Sequence, residues 1–361
     1  MSYTENYQKW LDFAELPAYL RDELVAMDEK TKEDAFYTNL EFGTAGMRGL
    51  IGAGTNRINI YVVRQATEGL AQLIDSKGEE AKKRGVAIAY DSRHFSPEFA
   101  FESAQVLAAH GIKSYVFESL RPTPELSFAV RHLHTFAGIM VTASHNPAPF
   151  NGYKVYGEDG GQMPPADADA LTDYIRAIEN PFTVQLADLE ESKASGLIEV
   201  IGENVDAEYL KEVKGVNINQ DLINEYGRDM KIVYTPLHGT GEMLARRALA
   251  QAGFEAVQVV EAQAVPDADF STVKSPNPES QAAFALAEEL GRKVDADVLV
   301  ATDPDADRLG VEIRQPDGSY LNLSGNQIGA IIAKYILEAH KQLVRFLKML
   351  PSVNQSYQLS W

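Results

Sequence analysis

Short apolar runs recur along this chain, and a stretch of helical length separates each from the next. Val86–Tyr90 and residues 113–117 and 136–141 read as strands in the first half, and residues 231–234, 255–260 and 297–302 do so in the second. All fall short of the roughly ten residues expected of a buried helix. Before and between them, residues 60–75, 97–110, 242–252 and 280–291 have helical length and spacing. Strand and helix in alternation predict an α/β protein. A chain of 361 residues is long enough for two or three cores, so the pattern is divided between domains. Ahead of it, Trp10, Phe13, Leu16, Tyr19, Leu20 and Leu24 fall at helical spacing in an acidic segment. Residues 1–40 are therefore predicted to form a helical extension, with Pro17 opening its second helix. Residues 180–206, acidic and irregular, are the predicted interdomain linker.

In open α/β sheets ligands collect where strands end. The run 136–141 stops in Thr142-Ala143-Ser144-His145-Asn146-Pro147, followed by Asn151-Gly152-Tyr153-Lys154. A hydroxyl, an imidazole and an amine meet there, which makes Ser144 a candidate phosphoryl carrier. The run 297–302 stops in Asp303-Pro304-Asp305-Ala306-Asp307-Arg308. Alternating aspartates direct hard oxygen ligands to one side, as Mg²⁺ requires, and without a cation they would repel one another; a solvated acidic loop is the alternative. In Gly43-Thr44-Ala45-Gly46-Met47-Arg48-Gly49 the glycines allow close backbone approach, and Arg48 can grip a phosphate with two prongs; a hairpin with a surface arginine fits equally well. At the end of Val86–Tyr90, Asp91 reads as half of a structural ion pair, while Arg93 can serve either a ligand or the fold. His238, between a strand end and Gly239, can line a ligand site, although a lone histidine more often serves the core.

Several function classes are excluded. Counting from Asp303, an EF-hand needs glycine at position six and glutamate at position twelve, where Arg308 and Arg314 stand. A haloacid-dehalogenase-type Asp-x-Asp nucleophile would follow the first strand of its core; this triplet lies late and would leave Ser144 unexplained. The glycine loop lacks the Gly-Lys-Ser/Thr of a Walker motif. A net charge of −19 argues against nucleic acid as a partner. There is no cysteine for a disulfide or a thiolate metal site. No membrane-length apolar run or signal segment is seen, a pattern expected of a cytoplasmic protein. A positioned hydroxyl, a metal loop and nearby cations are together the requirements of phosphoryl transfer.

In combination these segments resemble the α-D-phosphohexomutases. Residues 142–147 with 151–154 resemble their phosphoserine loop, residues 303–308 their metal loop, and residues 43–49 their N-terminal active-site loop. Residues 235–241, residues 275–279 and the N-terminal extension are similar to the phosphoglucomutase/phosphopentomutase branch, and the likeness runs to about His340. The resemblance implies two consecutive α/β domains with mixed sheets between helices. Domain I would span residues 41–190, domain II 200–320, and the start of domain III, with its first helix, 321–340. It implies that Ser144, as phosphoserine, joins Asp303, Asp305 and Asp307 in holding Mg²⁺. Lys154 would do acid–base work, with His145 a second candidate of better placed ordinary pKa. Arg48 and Arg308 would attend the reacting phosphate, and Arg93 and His238 would bind substrate. The implied activity is phosphoglucomutase, interconverting glucose 1-phosphate and glucose 6-phosphate, with glucose 1,6-bisphosphate as intermediate and activator.

Such relatives have four domains, and the Glu-Ser loop of the third and the Arg-x-Ser-Gly-Thr loop of the fourth have no counterpart after residue 320. Residues 341–361 depart from the family, with Lys341, Arg345 and Lys348 but no acidic residue, in a chain of 33 basic and 52 acidic residues. The expectation is a truncated or frame-shifted chain of weak or no turnover. Its domain III helix would expose Ile331, Ile332 and Tyr335 and drive self-association; Leu343, Phe346, Leu347 and Leu350 can prolong that helix. Three alternatives stand beside it: a non-catalytic Mg²⁺-binding fragment, a phosphatase in which water replaces the sugar, and phosphopentomutase or phosphomannomutase specificity.

Overall fold

The structure, a computed structural model, describes residues 2–43 and 46–349. Three helices, Tyr3–Asp12, Ala18–Ala26 and Glu29–Phe36, form the N-terminal extension. Ser2 and Glu5 close a capping box on the first, Pro17 precedes the second, and the Asp28 side chain caps the third. Of the residues at helical spacing, Trp10, Leu16, Leu20 and Leu24 are buried against the first domain, whereas Tyr19 is exposed.

The first sheet comprises β1 (Met47–Leu50), β2 (Val86–Tyr90), β3 (Ser114–Phe117), β4 (Ala137–Val141), β5 (Phe150–Tyr156) and β6 (Ile198–Ile201). Its order is β1-β5-β4-β2-β3-β6. Strands β4, β2, β3 and β6 run parallel, and β5 and β1 add an antiparallel ribbon at one edge. Every residue of β2 and β4 is buried, which explains why they read as unbroken apolar runs. Ile88 and Tyr90 pack toward helices Ile60–Lys77 and Ser96–Ala109, while Ala87 and Ala89 pack toward helix Thr123–His132.

One expectation fails here. Residues 180–206 are not a plain linker: they contain helix Leu189–Ala194 and strand β6, whose Ile198 pairs with Ser114 of β3. The first sheet thus extends past residue 190. Only Ile198 and Ile201 of β6 are buried, so an edge strand this short carries no apolar run to betray it.

The second sheet, in order β11-β10-β9-β7-β8, comprises β7 (Ile232–Thr235), β8 (Val257–Val259), β9 (Val298–Thr302), β10 (Leu309–Arg314) and β11 (Tyr320–Leu323). Strands β8, β7 and β9 are parallel, and β9, β10 and β11 are antiparallel, so this sheet is mixed as well. Val233, Leu299, Ala301, Phe284 and Tyr320 form its core. Helix Gly325–Met349 follows, exposing Ile331, Ile332 and Tyr335 as expected. The helix continues into the segment expected to leave the family pattern; residues 350–361 of that segment, Leu350 included, lie outside the described residues. Among the described residues no helix is long and apolar enough to cross a membrane.

Candidate active site

Strand β4 carries its polar end to the boundary between the two sheets. Thr142 Oγ1 accepts a hydrogen bond from Ser144 N at 2.8 Å, and Ala143 O accepts one from Asn146 N at 3.1 Å. This tight turn holds Ser144 at φ +54°, a left-handed conformation costing a non-glycine residue about 1–3 kcal/mol. The Ser144 hydroxyl donates to Asp303 Oδ2 at 3.0 Å and lies 3.3 Å from His145 Nδ1. From β5, Lys154 Nζ donates to Asp305 Oδ2 at 2.9 Å and reaches Asp307 Oδ2 at 3.5 Å. The serine loop of one sheet and the aspartate loop of the other are therefore one site.

Register explains the company Ser144 keeps. Arg48 of β1 pairs with Gly152 of β5, and Lys154 lies two residues on, so both side chains project from one face. A Cβ at Gly152 would meet Met47 O at 2.5 Å and Thr142 O at 2.6 Å, which is why glycine stands between the serine turn and the arginine strand. Arg48 Nε is buried and has no hydrogen-bond partner among the described residues. Thr44 and Ala45 of the same loop lie outside the described residues. On the aspartate side, Ala306 is left-handed at φ +52°, and Arg308 N donates to Asp303 Oδ1 at 3.1 Å.

The electrostatics are those of crowded carboxylates. Burial, then the charges of Asp305 and Asp307, pushes the Asp303 carboxyl up to about 9. Asp307 is raised by burial and by Asp305. Burial opposes ionisation of Asp305 too, but the Lys154 ammonium outweighs it and holds this carboxyl below its ordinary range. The cluster thus retains a proton that a cation would displace. Each aspartate offers a carboxylate oxygen, all within 4.8 Å of one another. Asp305 Oδ1 is buried with no hydrogen-bond partner among the described residues. Hard oxygens, surplus negative charge and an unsatisfied buried acceptor fit a divalent cation of the Mg²⁺ class.

The two acid–base candidates separate by environment. Burial, and then Arg308 and Arg48, lower the His145 pKa, so its ring is neutral at pH 7 and can accept a proton. Burial works against the Lys154 charge, but Asp305, Tyr156 and Asp307 raise its pKa overall, so it remains an ammonium. Sequence reasoning missed Thr123, whose N–H donates to Asp305 O at 2.9 Å and whose hydroxyl donates to Asp305 Oδ2 at 3.1 Å. It also missed Ser275, whose hydroxyl donates to His145 O at 3.2 Å. Thr123 sits in no segment singled out above, whereas Ser275 opens residues 275–279, to which no role was given. Glu279 pairs with Arg308 at 3.3 Å.

Arg93 and His238, the expected substrate-binding residues, are both engaged by partners within the protein. The Arg93 guanidinium is buried and donates to four carbonyls: Ser144 O at 2.5 Å, Asn146 O at 2.6 Å, Phe150 O at 2.9 Å and Pro147 O at 3.0 Å. Its ion pair with Asp91, at 3.2 Å, is buried as well. His238 Nδ1 lies 2.9 Å from Val265 O and Nε2 lies 2.8 Å from Thr272 Oγ1, so both ring nitrogens are engaged. Each side chain is committed to holding a loop.

Comparison with known proteins agrees with this geometry. Residues 39–182 match the family profile of phosphoglucomutase/phosphomannomutase α/β/α domain I, and residues 207–316 match that of domain II. The phosphoglucomutase of Staphylococcus epidermidis is 40% identical over 327 residues, and that of Staphylococcus aureus is 39% identical over 326. Both alignments cover 90% of this chain, which spans 58% and 57% of those relatives. Among solved structures, a Thermus thermophilus protein described as a phosphomannomutase superposes with TM-score 0.61 at 26% identity, covering 78% of this chain and 58% of that one. A Paramecium phosphoglucomutase superposes with TM-score 0.55 at 19% identity, a likeness of fold, over 77% of this chain and 53% of its own. The chain belongs to the phosphoglucomutase/phosphomannomutase family.

Proposed function

We propose that this chain carries the phosphoryl-donor and metal-binding half of a phosphohexomutase, with glucose phosphates as substrate and glucose 1,6-bisphosphate as the loading species. The observation that carries the proposal is the Ser144 hydroxyl, 3.0 Å from Asp303 inside a carboxylate triad able to hold a metal. Asp303, Asp305 and Asp307 would hold Mg²⁺, which when bound neutralises charge developing on the transferring phosphoryl group. In loading, Ser144 Oγ forms a bond to phosphorus as the phosphorus–sugar oxygen bond breaks. The hydroxyl proton passes to neutral His145, and the Lys154 ammonium returns a proton to the departing sugar oxygen. Arg48 and Arg308, whose charges both reach His145, flank the entering phosphate. Phosphoryl transfer to a hexose monophosphate runs the same steps in reverse.

Incubation with labelled glucose 1,6-bisphosphate and Mg²⁺ tests this directly. The expected result is about one phosphate per chain, retained on Ser144 by intact and peptide mass, and none on Ser144→Ala. Label retained equally by Ser144→Ala, or by neither protein, refutes it.

A further inference from the structure

Arg93 and His238, both engaged within the protein, lie at the ends of one continuous set of contacts. We propose that Arg93, Phe270 and His238 form an interdomain positioning relay, by which the domain bearing the aspartates fixes the loop bearing Ser144. The relay's effect on phosphate loading rests on the function proposed above; its effect on the loop does not.

At the domain I end, Arg93 clamps the carbonyls of residues 144, 146, 147 and 150, which fixes the whole turn around the nucleophile rather than one point of it. Arg93 is itself oriented by Asp91, whose Oδ1 accepts from Arg93 N at 2.9 Å and from Ser96 Oγ at 2.8 Å. Ser96 Oγ in turn accepts from Asn151 Nδ2 at 2.9 Å. All four residues are buried. The remaining side of the guanidinium is covered from domain II. The Phe270 ring lies 5.0 Å from the guanidinium carbon, and Phe270 is only 2% exposed. A desolvated cation over an aromatic face is a strong contact of its kind.

Phe270 is presented under constraint. It is left-handed at φ +48°, a rare conformation for a bulky residue that persists only when its surroundings impose it. Asp267 imposes it from one side, accepting from Asp269 N at 3.0 Å and Ser271 N at 2.9 Å. His238 imposes it from the other. Its Nδ1–H donates to Val265 O, and its Nε2 accepts from the Thr272 hydroxyl. Thr272 Oγ1 also accepts from Gln263 Nε2 at 3.0 Å, and Gln263 O accepts from His238 N at 2.9 Å. His238 stands just after β7, so the loop carrying Phe270 is tied to the frame of the second sheet. The neighbouring His94–Asp269 pair, 2.8 Å apart but exposed, adds little.

Amide hydrogen exchange on the 361-residue chain tests the relay without depending on catalysis. Phe270→Leu keeps apolar volume and loses the ring; Thr272→Val removes the hydroxyl that His238 holds. The expected result is about tenfold faster exchange of the Asn146 and Phe150 amides in Phe270→Leu and about threefold in Thr272→Val, with the β2 amides Ile88 and Ala89 unchanged. In Arg93→Lys the same loop amides exchange faster still, and adding Phe270→Leu to Arg93→Lys produces no further change. Loading of Ser144 from labelled glucose 1,6-bisphosphate should slow about 10- to 100-fold in Phe270→Leu at unchanged half-saturating concentration. Unchanged loop exchange in both domain II variants, or additive effects in the double variant, overturns the relay. Parent protein that never loads Ser144 refutes the proposed function instead, and the exchange data then decide the relay alone.

Discussion

Lys154→Met removes the one cation that, among the described residues, is in contact with Asp305, and leaves a buried carboxylate behind. Lys154 is 1% exposed and Asp305 fully buried, with 2.9 Å between Nζ and Oδ2. After substitution Asp305 Oδ2 keeps the Thr123 hydroxyl, while Oδ1 already has no partner among the described residues. Breaking a buried pair by removing one member costs about 3–5 kcal/mol. The alternative for Asp305 is to take up a proton, which from an ordinary carboxyl pKa costs about 4 kcal/mol at pH 7. The two routes agree, so about 4 kcal/mol is the expected loss in urea unfolding followed by far-UV circular dichroism with EDTA present. A divalent cation replaces part of the missing positive charge, so Mg²⁺ should stabilise Lys154→Met by more than it stabilises the parent. Lys154→Met/Asp305→Asn, in which neither charge remains, should recover most of the loss. A loss below about 1 kcal/mol, or an Mg²⁺ effect equal in parent and variant, would show that the pair is not the buried, metal-linked contact described.

The remaining predictions concern pH, packing and the nucleophile. His110 lies between Glu68 Oε2 at 3.0 Å and Asp75 Oδ2 at 2.6 Å, and the Glu68 hydrogen bond leads in raising its pKa to about 9. Raised above its unfolded value, the group gives stability that is complete below about pH 6.5 and lost as pH climbs through about 9. A pH series of urea unfolding should show about 1–3 kcal/mol more loss between about pH 6.5 and 9 in the parent than in His110→Gln. Gly152→Ala drives a methyl into two backbone oxygens, 2.5 and 2.6 Å away, and should cost about 2–3 kcal/mol while slowing Ser144 loading; a melting temperature equal to the parent's would refute that account. Ser144→Ala, which removes only a hydroxyl, should fold normally by circular dichroism and retain no phosphate.

The legible parts of the sequence were those in which neighbouring residues carry the signal. Strands β2 and β4 are buried along their whole length and appear as unbroken apolar runs. The serine and aspartate loops bunch reactive side chains within a few residues, and each follows a strand. The illegible parts depend on partners far away in the chain. Arg93 could serve a ligand or the fold, and what decides it is four carbonyls from residues 144–150, more than fifty positions later. His238 is decided by Val265 and Thr272, which no local pattern connects to it. Strand β6 escaped notice because its two buried residues are too few to make a pattern. Phe270 escaped because left-handed backbone is not written in a phenylalanine.

The division of labour between the sheets has an electrostatic consequence. Three carboxylates whose ligand atoms lie within 4.8 Å of one another already repel, by about 3 kcal/mol per charged pair at an effective dielectric constant near 20. A phosphoryl group on Ser144 Oγ, 3.0 Å from Asp303, would add up to two more negative charges at the same point. Lys154 cannot absorb them, because it is already committed to Asp305 and Asp307 on the closed side of the site. That side is shut by Thr123, whereas Asp307 and the Arg308 side chain reach solvent. On the proposed function, positive charge must therefore arrive from the open side together with the phosphate, and a divalent cation held by the aspartates is the smallest unit that suffices. Each then raises the affinity of the site for the other by the same factor, as any two ligands that share a binding equilibrium must. On that reading Arg48 and Arg308, set on separate domains around His145, would supply the rest of the compensation only while the two domains stay in register. The loop clamp at Arg93 and its cover from Phe270 act on that register, and so on whether phosphate and cation can be held at once.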